Sequence, residues 1–206
     1  MLHSMNLTKP CWGHKENGKM LTDLEVIQMV DEALESMWKN EIKADYESGW
    51  LLKEDTLKNA MYFHLRNRLG KLFDENDIRI FTEFTDCKFK RSGYRPDMVI
   101  AKVDVDSNAN YWGDAVTECL AVIELKYKTG FTASEEIYAD YDKLQYYVET
   151  LGIGSKLYMA TIWEYEDDES AWAEEDSSWI KGRVTELNVS YKRNADNELQ
   201  FYVVRH

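Results

Sequence analysis

Two strand-like runs carry charges where a buried strand should carry none, and this restricts the possible folds more than any other feature of the chain. Met98–Val103 is apolar apart from Lys102, and Cys119–Tyr127 is apolar apart from Glu124 and Lys126; the first run is entered through Arg95-Pro96-Asp97. An ionised group inside a β-layer costs free energy unless another charge or a hydrogen-bond partner answers it. If the runs pair as antiparallel neighbours with Asp97 opposite Glu124, the connection centres between Asn110 and Tyr111. That point lies inside Asp106-Ser107-Asn108-Ala109-Asn110-Tyr111-Trp112-Gly113, the stretch between the runs that is rich in turn formers.

Side chains alternate along a strand, so Glu124 and Lys126 leave one face while Ile123 and Leu125 enter the core behind it. Directly opposed residues have Cβ atoms about 4.5–5.5 Å apart, which brings Asp97, Glu124 and Lys126 into one patch. Two carboxylates that close require a proton or a cation, and hard oxygen donors suit Mg²⁺ or Mn²⁺. Such an ion polarises a phosphoryl oxygen and acidifies a bound water, while a lysine orients that water or helps to deprotonate it. This is the chemistry of phosphodiester hydrolysis. The bland alternative is a surface hairpin with an ordinary Glu–Lys cross-strand pair.

At these residues the sequence resembles the PD-(D/E)xK nuclease superfamily, the restriction-endonuclease-like fold. Pro96-Asp97 matches the first half of its motif and Glu124-Leu125-Lys126 the second. The resemblance covers roughly residues 50–163. It implies an α/β (α+β) fold: a helix, a three-strand meander carrying the site, a helix and a further strand, so that a central mixed sheet is flanked by helices. It also implies that Asp97 and Glu124 are metal ligands with the Leu125 carbonyl as a third, and that Lys126 acts on the nucleophilic water. Further roles follow by the same resemblance. Glu54, with Asp55 as alternate, is a candidate acidic group from the preceding helix, and Glu83 one from the first strand. Gln145 on the following helix is a candidate to support the lysine or touch a phosphate, with Lys143 and Arg95 as further substrate contacts. The implied substrate is nucleic acid, DNA more than RNA, with a homodimer admitted by analogy.

The rest of the chain supplies a frame of about one domain, with residues 1–49 as an N-terminal arm and helix, 50–163 as the core, and 164–206 as an acidic loop and C-terminal hairpin. Thr22-Asp23-Leu24-Glu25 reads as a capping box opening a helix from about Asp23 to about Ala44, with Leu24, Ile27, Leu34, Met37 and Trp38 as its apolar stripe. A second helix is expected over Trp50–Leu69, with Gly70 as its stop and His64 on the apolar face as a packed or edge residue. Ile78–Phe84 reads as the first strand, Ser134 to about Thr150 as a helix, and Lys156–Trp163 as a strand joined to the meander by a helical crossover. Arg183–Tyr191 and Leu199–Val204 form a hairpin in which Lys192 and Arg193 are candidate substrate contacts.

Composition sets the competing readings. The formal net charge of −13 opposes non-specific nucleic-acid binding, which rests on Lys and Arg displacing counterions. Net charge does not exclude a local basic cleft, and Lys88, Lys90, Arg91 and Arg95 cluster before the first motif. The alternatives are a catalytically silent binding or assembly module on the same fold, and an acidic mimic of nucleic acid, for which the segment 164–176 is the natural candidate. Three widely spaced cysteines, Cys11, Cys87 and Cys119, make disulfides an unpromising expectation. Cys11-Trp12-Gly13-His14 has no second pair to complete a zinc site. With no apolar run of about 20 residues and no signal-peptide pattern, the expectation is a cytoplasmic protein without membrane contact.

Overall fold

The computed structural model describes residues 21–85, 93–129, 134–151, 154–164, 180 and 182–206. The Cys11–His14 motif, Cys87, the basic residues 88–91 and the acidic segment beyond Glu164 lie outside them, as do the side chains of Lys192 and Arg193. The fold is α+β. Six strands, β1 (Ile78–Thr82), β2 (Met98–Val103), β3 (Val116–Lys128), β4 (Lys156–Trp163), β5 (Val184–Arg193) and β6 (Leu199–Arg205), form one mixed sheet in chain order. β1, β2 and β3 are antiparallel, β3, β4 and β5 run parallel, and β6 returns antiparallel to β5 as the C-terminal hairpin. Helix α4 (Ser134–Leu151) provides the crossover from β3 to β4.

Both faces of the sheet centre are covered, which explains the nearly unbroken apolar runs. Met98, Ile100, Ile123 and Leu125 face α1 (Asp23–Met37) and α3 (Glu54–Glu75), meeting Val30, Leu34, Met61 and Leu65. Val99, Ala101 and Val122 face α4 and meet Leu144 and Tyr147. Met98 pairs with Ile123, so the next step outward sets Asp97 against Glu124, the expected register. Register shifts after Ile100 and after Lys102 bring Val103 opposite Val116. The loop is therefore centred between Ala109 and Asn110, one residue earlier than a regular ladder requires.

Three helix and strand ends differ from expectation, each for a local reason. α1 keeps its capping box at Thr22 and Glu25, but it buries Val26, Val30, Ala33, Leu34 and Met37, leaving Leu24 76% exposed. Helical backbone continues past Met37 through a π-helical segment, Trp38–Ile42, into α2 (Lys43–Glu47), and this single wide turn lets both Trp38 and Ile42 reach the core. α3 begins at Glu54 and runs through Gly70 to Glu75, because Leu69 and Phe73 continue its buried stripe. Its end is set at Asn76, whose side-chain amide donates to the Leu72 carbonyl and whose Oδ1 accepts from the Leu21 amide. His64 is an edge residue whose Nε2 lies 2.8 Å from Asp45 Oδ2.

β1 stops at Thr82 because Glu83 adopts φ +50°, in the left-handed region. The strand alternation expected over Ile78–Phe84 breaks there. Phe84 turns to the α4 side and stacks on Phe81, with ring centroids 5.2 Å apart.

The continuous α3 makes a direct prediction. Gly70 lies within the helix, and a Cβ added there meets nothing within 4 Å. Gly70→Ala is expected to raise stability by about 0.5–1 kcal/mol in denaturant titration; a loss would mean that the helix needs a glycine stop at this point.

Candidate functional site

The site lies where the C-terminal end of β3 and the entry to β2 meet the first two turns of α3 and the middle of α4. Asp97 is anchored by the chain it opposes: its Oδ2 accepts a hydrogen bond from the Leu125 amide at 2.9 Å. Its Oδ1 lies 2.8 Å from the Lys58 ammonium of α3. Lys58 also binds Glu83, and Glu83 Oε2 lies 2.6 Å from Arg95 Nε. The left-handed backbone at Glu83 is held by its amide, which donates to the Asp97 carbonyl at 3.0 Å.

Glu124 is fully buried on the α4 face. Its Oε1 accepts a hydrogen bond from the Tyr147 hydroxyl at 3.0 Å, whereas its Oε2 is buried with no hydrogen-bond donor and has Lys143 Nζ 3.6 Å away. This is no solvated cross-strand pair. Burial first, then repulsion from Asp97, push the Glu124 carboxyl well above the ordinary range, and Lys143 and Tyr147 only partly offset this. Lys126 is clamped between two carboxylates, 2.8 Å from Asp140 Oδ2 and 3.1 Å from Glu54 Oε2. Burial lowers the proton affinity of Lys126, but the hydrogen bond and charge of Asp140, and then Glu54, outweigh it and hold the ammonium form. Glu54 itself is pushed up, chiefly by burial, with repulsion from Asp97 opposing the pull of Lys126.

Glu54, Glu83, Arg95, Asp97 and Lys143 line one open cleft of about 570 Å³, together with Thr85, Gly93 and Tyr94. Of the residues singled out from the sequence, Asp97, Glu124, Leu125, Lys126, Glu54, Glu83, Lys143 and Arg95 thus belong to one connected cluster. Asp55 pairs instead with Lys53, and Gln145 is exposed, five residues and roughly 140° around α4 from Asp140. α4 presents Asp140, Lys143 and Tyr147 to the cluster in its place.

Lys58, Asp140 and Tyr147 were not singled out from the sequence. A signal for the first two exists: each charge interrupts an apolar helical stripe, Lys58 beside Met61 and Leu65, and Asp140 beside Leu144 and Tyr147.

Among the described residues no three His, Cys, Asp or Glu side chains stand close enough to hold a metal ion by themselves. The donor chemistry still fits a small hard cation. Asp97 and Glu124 offer carboxylate oxygens, the buried Glu124 Oε2 lacks a donor, and remaining positions would fall to the Leu125 carbonyl and water. The described residues include no helix long and apolar enough to cross a membrane. Comparison with family models, curated proteins and solved structures gives no match.

Glu124 makes the metal-free protein sensitive to pH. Its folded proton affinity exceeds the unfolded value of 4.5, so the native state holds more protons than the unfolded state above that pH. Its contribution to stability is therefore lost as pH rises through the window upward from about 4.5. With chelator present, Glu124→Gln is expected to raise the unfolding temperature at about pH 8 by roughly 2–4 °C per kcal/mol relieved, with the gap closing towards about pH 4. A melting temperature below wild type at about pH 8 would contradict this.

Proposed function

We propose that this chain is a divalent-metal-dependent nuclease that hydrolyses phosphodiester bonds, with Mg²⁺ or Mn²⁺ as cofactor and DNA the more natural substrate than RNA. One observation carries the reading: Asp97 and Glu124 converge across neighbouring strands at the end of a cleft, with an acceptor oxygen of Glu124 buried and lacking a donor. Like charges held together at that cost imply a cation partner. The resemblance of Pro96-Asp97 and Glu124-Leu125-Lys126 to the nuclease motif points the same way.

The ion, when bound by Asp97 and Glu124, would supply Lewis-acid polarisation and a more acidic water. The side chains supply the rest. Lys126 is held as an ammonium by Asp140 and Glu54, which suits it to orient the attacking water or donate to a phosphoryl oxygen and to stabilise developing negative charge. Glu54 lines the cleft with a raised proton affinity and is the better-placed acceptor for the proton of the attacking water. As the water oxygen bonds to phosphorus, the bond to the leaving alkoxide breaks, and that alkoxide takes a proton from solvent. Lys143 and Arg95, both at the cleft wall, are available to contact substrate phosphates.

The test pairs metal titration with cleavage of plasmid, linear, single-stranded and structured substrates. Asp97→Ala and Glu124→Ala are expected to abolish Mn²⁺ binding. Lys126→Met is expected to keep it while lowering cleavage by about 10²–10³. A wild-type protein that neither binds Mn²⁺ nor cuts any substrate would favour the binding module. Inhibition of a basic partner that weakens with added salt would favour the mimic.

A further inference from the structure

We propose that Lys58 is an internal counter-cation that occupies the metal side of Asp97 in the metal-free protein and must give up Asp97 for a divalent ion to bind. This inference rests on the nuclease reading above. Lys58 is only 8% exposed, although it stands on a helix with free surface elsewhere. Its ammonium spans two carboxylates, Asp97, a metal ligand in the reading above, and Glu83, which Arg95 also holds. These two partners give the side chain somewhere to go.

When an ion takes Asp97 Oδ1, Lys58 retains Glu83. Glu83 is suited to that task because its own position is fixed: its backbone is left-handed, its amide is tied to the Asp97 carbonyl, and its other oxygen is held by Arg95. A left-handed backbone is unfavourable for a glutamate. That cost is explained if Glu83 must face Lys58 and Arg95 whether or not an ion is present. Lys143 does not duplicate the arrangement. It lies 3.6 Å from Glu124 and is engaged by Asp140, so it approaches the second carboxylate without spanning the shell.

A lysine placed in this way sets the threshold of metal affinity. Its charge removes the repulsion that would otherwise open the empty site, and it competes with the ion that the site takes up. The consequence is a protein that folds without metal and loads only when the ion outcompetes a neighbouring ammonium.

The test is Mn²⁺ affinity by calorimetry, beside the unfolding temperature with and without Mn²⁺, for wild type, Lys58→Met and Lys53→Met. Lys58→Met is expected to bind Mn²⁺ about tenfold or more tightly. It should melt lower than wild type in chelator and gain more from saturating Mn²⁺. Lys53→Met, which removes an exposed charge at the start of the same helix, where Lys53 pairs with Asp55 outside the cluster, should change affinity less than about threefold. Should Lys58→Met not fold, Lys58→Gln serves, since its neutral amide can still bridge the carboxylates, and the same direction is expected. Unchanged or weaker affinity in the Lys58 variants, with wild type binding through Asp97, overturns the counter-cation role and leaves the nuclease reading standing. Equal tightening in Lys53→Met overturns it in favour of general charge repulsion. Absence of Mn²⁺ binding in wild type and variants alike overturns the nuclease reading, and this inference with it.

Discussion

The packing of this protein turns on the repulsion between Asp97 and Glu124, set facing one another where the second and third strands of the sheet meet. Nothing about sheet geometry requires carboxylates there; either position could hold a valine and extend the core. Because both are acidic and screened from water, the surrounding elements answer them: Lys58 from one helix, Lys143 and the Tyr147 hydroxyl from another, and the Leu125 amide from the strand itself. Lys126 brings a second layer, neutralised in turn by Glu54 and Asp140. Five carboxylates and four cations are connected in this way among the described residues, which leaves one negative charge in excess when all are ionised.

That excess matters more than the net charge of the whole chain. A value of −13 sums the whole chain and does not say where the charges stand. Inside the half-buried cluster burial, and after it the charge of Asp97, raises the proton affinity of Glu124 and Glu54. A proton or a divalent ion can relieve the excess. At low pH the proton serves, and as pH rises the cation has less competition.

Much of this was legible in the sequence, and the remainder was hidden for identifiable reasons. The register of Asp97 with Glu124 could be read because a charge inside an apolar run is conspicuous and because turn formers mark the middle of the connection. The strands and the helix between β3 and β4 could be read from their patterns, while the mixed sheet and the place of the crossover in it followed from the resemblance. Lys58 and Asp140 escaped notice because lysine and aspartate are ordinary on helix surfaces, and only the packing of α3 and α4 against the sheet buries them. The stop at Gly70 failed because a glycine without a left-handed backbone is no terminator when the next turns, ending in Phe73, have a core to enter. The break at Glu83 could not be read either, since a glutamate gives no local sign that its φ will be positive.

The central claim is that Asp97 and Glu124 share a cation. The most direct measurement is anomalous diffraction from crystals grown with Mn²⁺. The account predicts one strong peak about 2.0–2.2 Å from an oxygen of each carboxylate, with the Lys58 ammonium withdrawn from Asp97 towards Glu83. A map in which Mn²⁺ is absent from this position at saturating concentration, with Lys58 still seated on Asp97, would contradict it.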